Sequence, residues 1–412
     1  MATLHPTRRI QALLPLYVPR FSCIGPACGD SCCAGWTVSI DKKTFNAYRK
    51  TTNPALADRL ETHVKRVRSQ ASDGNYAHME LVPSTGECPM VEDKLCAVQK
   101  ELGEDKLSNT CFTYPRANHE AGGVYHQALT LSCPEAARLA LLADDAFDFA
   151  EQAIHVRPDT LQHLKPQAGL SLAQMNEVRF FCIQILKTEG LQVWQKLAIV
   201  GLLCESLSET LKNGMPRRVS DILQDTQDLI SSGQTAVMFD SMQPQYAIQA
   251  VTFTLLWQAK SQYIRPQHRP VYEAMAEGLG ADESGRVSEE QLVARYAQGV
   301  ARLPLALAPA PALLQNYVLN EMLRENFPFG QGGANPMEHY LRLVTRFGLV
   351  RFMLAVQCTE DQPLPTPEWL AHTVQVFARR FQHDKAFATQ VDNSFKNSGW
   401  DQLDKVLRFL KA

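Results

Sequence analysis

The chain of 412 residues has no long hydrophobic run. No window comes near the roughly 18 uninterrupted apolar residues a membrane-spanning helix needs, so no span is expected. Charge of either sign is not in excess, with 41 Lys and Arg against 43 Asp and Glu. This leaves no electrostatic footprint for nucleic acid or an anionic membrane surface. The glycine-rich turn that follows a first strand in nucleotide-cofactor folds is missing. The richest glycine stretch, Gly330-Gln-Gly-Gly333, follows a predicted helix and reads as a flexible loop. Residues 1–20 carry basic side chains and a short apolar run that Pro15 interrupts, with no small-residue cleavage site behind it. A secretion signal is therefore not expected, and the thiols should stay reduced in the cytoplasm.

Cysteine is scarce over the last 279 residues, which hold three, and crowded before them. Cys23, Cys28, Cys32, Cys33, Cys88, Cys96, Cys111 and Cys133 make up the other eight. Adjacent thiols such as Cys32 and Cys33 reach disulfide geometry only with strain. In a reducing compartment such a cluster more often binds metal than forms disulfides, and soft thiolates at short spacing suit structural zinc or an iron–sulfur cluster. Eight are enough for one four-ligand site with four to spare, or for two such sites. Adjacent Cα atoms are about 3.8 Å apart and their side chains diverge, so Cys32 and Cys33 need not serve the same metal. The paired Cys-x-x-Cys knuckles of a zinc ribbon are absent. So is the Cys-x3-Cys-x2-Cys loop of radical-generating iron–sulfur enzymes, which Cys28 and Cys32 begin but Gly35 interrupts. Cys182, Cys204 and Cys358 lie on apolar stripes and read as small buried hydrophobes.

Length argues for two or three domains, and the pattern changes near residue 140. Before it, the sequence predicts a strand at 36–40, a helix capped by Asp41, a second helix over 54–70, a strand at 76–82 and a tight hairpin between Cys88 and Cys96. After it the pattern is helical and alternating strands are missing. Helices are predicted at 172–188 behind Ser171, at 192–211 and 244–263, at 288–303 behind the capping box Ser288-Glu-Glu-Gln291, at 313–326, at 337–356, and at 367–382 behind Thr366. Breaks are predicted at 265–270, 278–285, 303–311 and 362–367. The expected fold is mainly α: a cysteine-rich α+β domain over 1–140, then an irregular all-helical domain over 141–412, with candidate subdivisions near 265–287 or 303–311.

Several stretches carry a family resemblance. Phe21-Ser-Cys23 through Cys32-Cys33-Ala-Gly-Trp36, Glu87-Cys88-Pro89, Leu95-Cys96 to Gly103, Leu107-Ser-Asn-Thr-Cys111-Phe-Thr-Tyr-Pro115-Arg116 and Leu129-Thr-Leu-Ser-Cys133-Pro-Glu135 together resemble the flagellin lysine N-methylases. The first third is also similar to the wider family of zinc- or iron-chelating domains. That domain alone would not supply Asn316-Tyr317 and Glu325-Asn-Phe-Pro-Phe-Gly330, which are similar to the methylases. Tyr114 stands where the methylase motif more often has Phe. The resemblance implies a cytoplasmic enzyme that moves methyl groups from S-adenosylmethionine to lysine side chains of flagellin, with an oxygen-sensitive [4Fe-4S] cluster held by the cysteines.

Methylating a lysine requires a neutral amine and a cationic sulfonium held beside it. Tyr114, Tyr125, Glu135, Tyr317 and Glu325 are suitable residue types, but no spacing singles them out and no catalytic residue is assigned. Arg116 could bond cluster sulfides or form an ordinary salt bridge. His119 and His126 could complete a mixed site or lie in the core. A methyl-donor pocket is expected between the cysteine region and the helices. The alternative is a metal-chelating scaffold, with structural zinc or iron, whose helices bind a partner protein. A small electron carrier is disfavoured because the compact ferredoxin spacing is missing.

Overall fold

The computed structural model describes residues 3–412 apart from 168, 216, 260–263 and 283–284. Its strands are β1 (Arg8–Pro15), β2 (Val38–Ile40), β3 (Val64–Arg66), β4 (Ala77–Met79), β5 (Val91–Glu92), β6 (Leu95–Cys96), β7 (Arg116–Ala121), β8 (Val124–Leu129), β9 (Phe149–Val156) and β10 (Leu161–His163). They form a five-stranded sheet in the order β10-β7-β8-β1-β9, a three-stranded sheet β2-β4-β3 and the hairpin β5-β6. The rest of the described chain is mainly helical, so the fold is mainly α with an N-terminal α+β region.

The structure corrects three expectations. β9 and β10 lie beyond residue 140, where alternating strands were read as missing, and β9 pairs antiparallel with β1 from Arg8 opposite Val156 to Pro15 opposite Phe149. A partner about 140 residues away leaves no local signature. The helix predicted over 54–70 ends at His63, because Val64, β-branched and suited to a pleated surface, pairs with Met79 instead. The break predicted at 303–311 begins late: the helix Glu289–Leu307 runs through Pro304, its flanking Leu303 and Ala306 buried.

Other expectations are met. Asp41 accepts from Thr44 N–H at 3.0 Å, Ser171 and Gln174 form a reciprocal capping box, and Ser288 and Thr366 cap their helices. Tyr246–Gln258 is helical within the predicted 244–263, of which 260–263 lie outside the described residues. Cys182, Cys204 and Cys358 are fully buried. Among the described residues no helix is long and apolar enough to cross a membrane.

One apolar core runs from Ala12 and Leu14 in β1 to Leu410 near the C-terminus. A smaller one under the cysteine region gathers Val38, Ile40, Leu56, Met79, Met90 and Val98. The helix Leu313–Arg324 is bolted to the sheet by polar groups. The buried Tyr17 hydroxyl accepts from Leu129 N–H at 2.8 Å and donates to Asn320 Oδ1, and Asn320 Nδ2 donates to Leu129 O at 3.1 Å.

The cysteine loop is clamped by one carboxylate. Asp30, only 3% exposed, accepts from Arg265 Nη1 at 2.6 Å, Gln267 Nε2 at 2.9 Å and Gln375 Nε2 at 2.7 Å, and meets His268 Nε2 at 2.8 Å. Arg379 Nη2 donates to the carbonyls of Ser31 and Ala34 at 3.1 and 2.6 Å. Burial opposes the Asp30 charge, but His268, Arg379 and Arg265 outweigh it and hold the carboxyl well below its usual range.

Asp30→Ala should cost about 3–5 kcal/mol in urea denaturation, because it leaves buried donors without their charge partner. Since the folded-state pKa is depressed, the stabilisation is complete above the usual carboxylate range and is lost as pH falls through the folded value. The gap between wild type and variant should therefore close only in strong acid. A second test concerns helix packing: a Cβ at Gly299 would lie 2.0 Å from the Ala355 carbonyl oxygen. Gly299→Ala should lower stability by about 1–3 kcal/mol, read as a reduced Tm.

Candidate active site

The eight front cysteines are all free thiols and fall into two groups. Cys33 O accepts from Cys88 N–H at 2.7 Å, and Ala34 bridges to Glu87. The β5-β6 hairpin, turned at Asp93 and Lys94 with positive φ, carries the chain from Cys88 back to Cys96. Cys111 enters from the short helix Asn109–Thr113, whose cap Ser108 accepts its N–H at 3.2 Å. Cys111 keeps exposed surface yet is walled by protein, which pushes its thiol up to about 12; Cys33, Cys96 and Cys88 add to that rise. Cys88 is pushed up to about 11, first by burial and then by Cys33 and Cys96.

The second group is Cys23, Cys28 and Cys133. Burial raises Cys28 and Cys133, and Cys23 acts on both. Cys32 stands with the first group, next to Cys33 and acted on by Cys111. It shares a hydrogen bond with Cys33, which makes Cys33 the more acidic of the two. In donor chemistry the set fits a soft metal centre. In position, no group of three or more His, Cys, Asp or Glu side chains among the described residues is arranged to hold a metal ion, so binding would have to draw the thiols together.

Beside the thiols opens a cleft of about 870 Å³. One wall is the segment from Thr110 to Ala117 with Trp36, a second is the end of β10 with the residues that follow it to 167, and the third is formed by 324–332 with His383 and Asp384. The aromatic-Pro-Arg element and the Glu325–Gly330 patch, more than 200 residues apart in sequence, thus face one cavity. It lies between the cysteine region and the helices. Gly330, Gln331 and Gly332 line it, so the glycine stretch read as a loop is a wall of the cleft. Gly330 is required there, since a Cβ would stand 1.8 Å from Glu325 O.

Trp36 forms an aromatic corner with Tyr114 at 5.1 Å and His383 at 5.8 Å between ring centroids, and its Nε1 donates to Cys32 O. Behind the opposite wall, buried Glu321 pairs with Arg324 at 2.9 Å and Arg346 at 3.3 Å. Arg324 and Arg346 also reach Glu325 at 2.6 and 3.2 Å. Burial opposes the Glu325 charge, but the two guanidiniums hold its carboxyl at about 2. His383 is delivered by a single π-helical turn, Ala378–Gln382, that continues the helix Pro367–Phe377. Such turns recur at functional sites because they re-aim side chains.

Of the residues singled out from sequence, Tyr114, Glu325 and Arg116 line the cleft. Arg116 stacks on Phe21 at 5.5 Å and makes no ion pair among the described residues. Its charge is opposed first by burial and supported by Glu104, Cys23 and Cys133. Tyr317 is fully buried, 6.1 Å from Phe377, and Glu135 is tied to Arg138. Tyr125 lies partly buried in β8, packed against the core. None of these three lines the cleft. His119 and His126 are buried, stacked at 4.8 Å, and bridged by Asn326 and Arg179. Burial and Arg179 lower the His119 pKa to about 3, so the pair is a neutral structural prop. Trp36 was legible only as part of the motif. His383, in an unremarkable polar stretch, was not legible at all.

The profile of the FliB lysine N-methylase C-terminal domain matches residues 179–409, and so does not test the cysteine-bearing first third. Over 394 residues the chain is 26% identical to the lysine-N-methylases of Salmonella typhimurium and Salmonella choleraesuis, covering 92% of this chain and 94% of each relative. Over 156 residues it is 32% identical to the flagellar biosynthetic protein FliU of Salmonella muenchen, covering 38% of this chain and 91% of that protein. No solved structure matches. The chain belongs to the FliB lysine N-methylase family and is a protein-lysine methyltransferase.

Proposed function

We propose that the chain transfers methyl groups from S-adenosylmethionine to lysine side chains of flagellin, in the cytoplasm, within the cleft bounded by Trp36, Tyr114, Glu325 and His383. The observation that carries this reading is the convergence on one cavity of two sequence patches that both resemble the methylases. An aromatic corner suits a sulfonium, which binds over ring faces as other cations do. The cleft is large enough for a nucleoside-sized donor together with a lysine side chain. A [4Fe-4S] cluster would be held by Cys33, Cys88, Cys96 and Cys111, with Cys23, Cys28, Cys32 and Cys133 beside it and Arg116 offsetting negative charge. A bound cluster supplies a rigid thiolate-ligated core that steadies the loops walling the cleft.

Protein prepared without air and incubated with labelled S-adenosylmethionine and flagellin should yield methyllysine; intact unlabelled flagellin at the end would sink the reading. Metal analysis of the same protein should find iron and acid-labile sulfide in equal amounts, whereas stoichiometric zinc without sulfide would point to the scaffold alternative. Cys111→Ser should lose most of the iron, and Cys204→Ser should keep it.

A further inference from the structure

The hydrogen bonds behind the cleft run in one direction, and that direction reaches His383. Glu321 is a buried carboxylate paired with two guanidiniums, so it can only accept. Gln382 must therefore turn its Nε2 to Glu321, leaving its Oε1 for Thr130. The Thr130 hydroxyl donates to that oxygen at 3.1 Å. With its one proton spent, Thr130 can only accept from Ser132, whose Oγ stands 3.2 Å away. Ser132, fully buried, then has two lone pairs left. They are met by the Tyr114 hydroxyl at 3.1 Å and His383 Nε2 at 2.8 Å. Both partners must donate. His383 thus carries its proton on Nε2, and its Nδ1, which makes no hydrogen bond among the described residues, is a bare lone pair on a ring that lines the cleft.

We infer that His383 Nδ1 is the base that takes the proton from the substrate lysine. This rests on the methyltransferase reading above. The step balances with a sulfonium methyl donor. The lysine ammonium gives a proton to Nδ1, the freed amine attacks the methyl carbon, and the carbon–sulfur bond breaks to leave a neutral thioether. The alkylated amine carries the positive charge, and the imidazolium returns its proton to solvent. Low-dielectric surroundings and then Arg324 and Arg379 lower the pKa of His383 to about 4, with Arg346 adding to this and Glu325 opposing it. Asp384 and Tyr114 also border the ring's side of the cleft. His383 is therefore unprotonated at neutral pH but is a weak base there. An ordinary lysine, with a pKa of about 10.4, would be a poor match. The cations Arg116 and Lys165, which line the same cleft, disfavour an incoming ammonium and narrow the gap.

The test compares wild type, His383→Gln and Thr130→Val, all prepared without air, with flagellin and S-adenosylmethionine. His383→Gln should lower kcat about 10²–10⁴-fold near neutrality at saturating donor. The deficit should shrink as pH rises toward the free amine's own pKa. Thr130→Val, a positioning change that breaks the donor chain, should give a smaller loss in kcat at constant KM. Nitrogen NMR of ¹⁵N-histidine-labelled protein should assign His383, by its disappearance in the variant, as the Nε2–H tautomer. A His383→Gln rate within about threefold of wild type across the pH range, or an Nδ1–H tautomer in the wild type, overturns the inference while leaving the methyltransferase reading intact. If His383→Gln does not fold, a Thr130→Val enzyme with wild-type kcat and pH profile overturns it equally. A wild type that transfers no methyl group removes the functional reading, and the inference with it.

Discussion

A carboxylate taken out of water has to find donors, and the place where Asp30 finds them sets the geometry of the rest. It lies between Cys28 and Cys32, in a loop with little regular structure of its own. Its partners come from residues 265–268 and 375, some 240 to 350 positions later. Uncompensated, such a burial would cost several kcal/mol. Four donors make it a fastening instead, and Arg379 adds two bonds to neighbouring carbonyls. The thiol loop is thereby fixed against the helices, and Trp36, a few residues on, is fixed as a wall of the cleft.

The same helix does two jobs. Gln375 faces Asp30, and the π-helical turn that follows it turns Arg379 to the thiol loop and Gln382 to Glu321. In a regular α-helix, residues 375, 379 and 382 share a face at spacings of four and three. Widening the turn at 378–382 lets His383 reach the opposite side of the cleft and meet Ser132. One segment of the C-terminal half thus organises both the cysteine region and the polar wall.

What could be read from the chain follows from how local each feature is. Asp41, Ser171, Ser288 and Thr366 announced their helices because a cap acts within three residues. The hairpin from Cys88 to Cys96 was legible for the same reason. The grouping of Cys33 with Cys88 depends on backbone pairing across a bridge that only the folded chain makes. β1 and β9 were missed because each strand's partner is remote, and β9 keeps much of its alternate face half-buried, which blurs the alternation. Glu325 to Gly330 could be quoted as a patch from likeness alone. Its reason is steric and appears only in the fold: Asn326 in a left-handed conformation bridges His119 and Arg179, and Gly330 passes against Glu325 O.

The sulfonium donor proposed above would be held without the glycine-rich turn of the nucleotide-cofactor folds. Its needs would be a cation-tolerant aromatic face, a groove that sheds water and a nucleophile stripped of its proton. Trp36 and Tyr114 meet the first. The second is met by three walls drawn from distant parts of the chain. The third demands that the charges around the nucleophile be paired off or cationic, since a free carboxylate would stabilise the ammonium it must lose. Glu325, the acid drawn into this wall by the family patch, is held by Arg324 and Arg346. Its charge is spent on the protein rather than on the substrate.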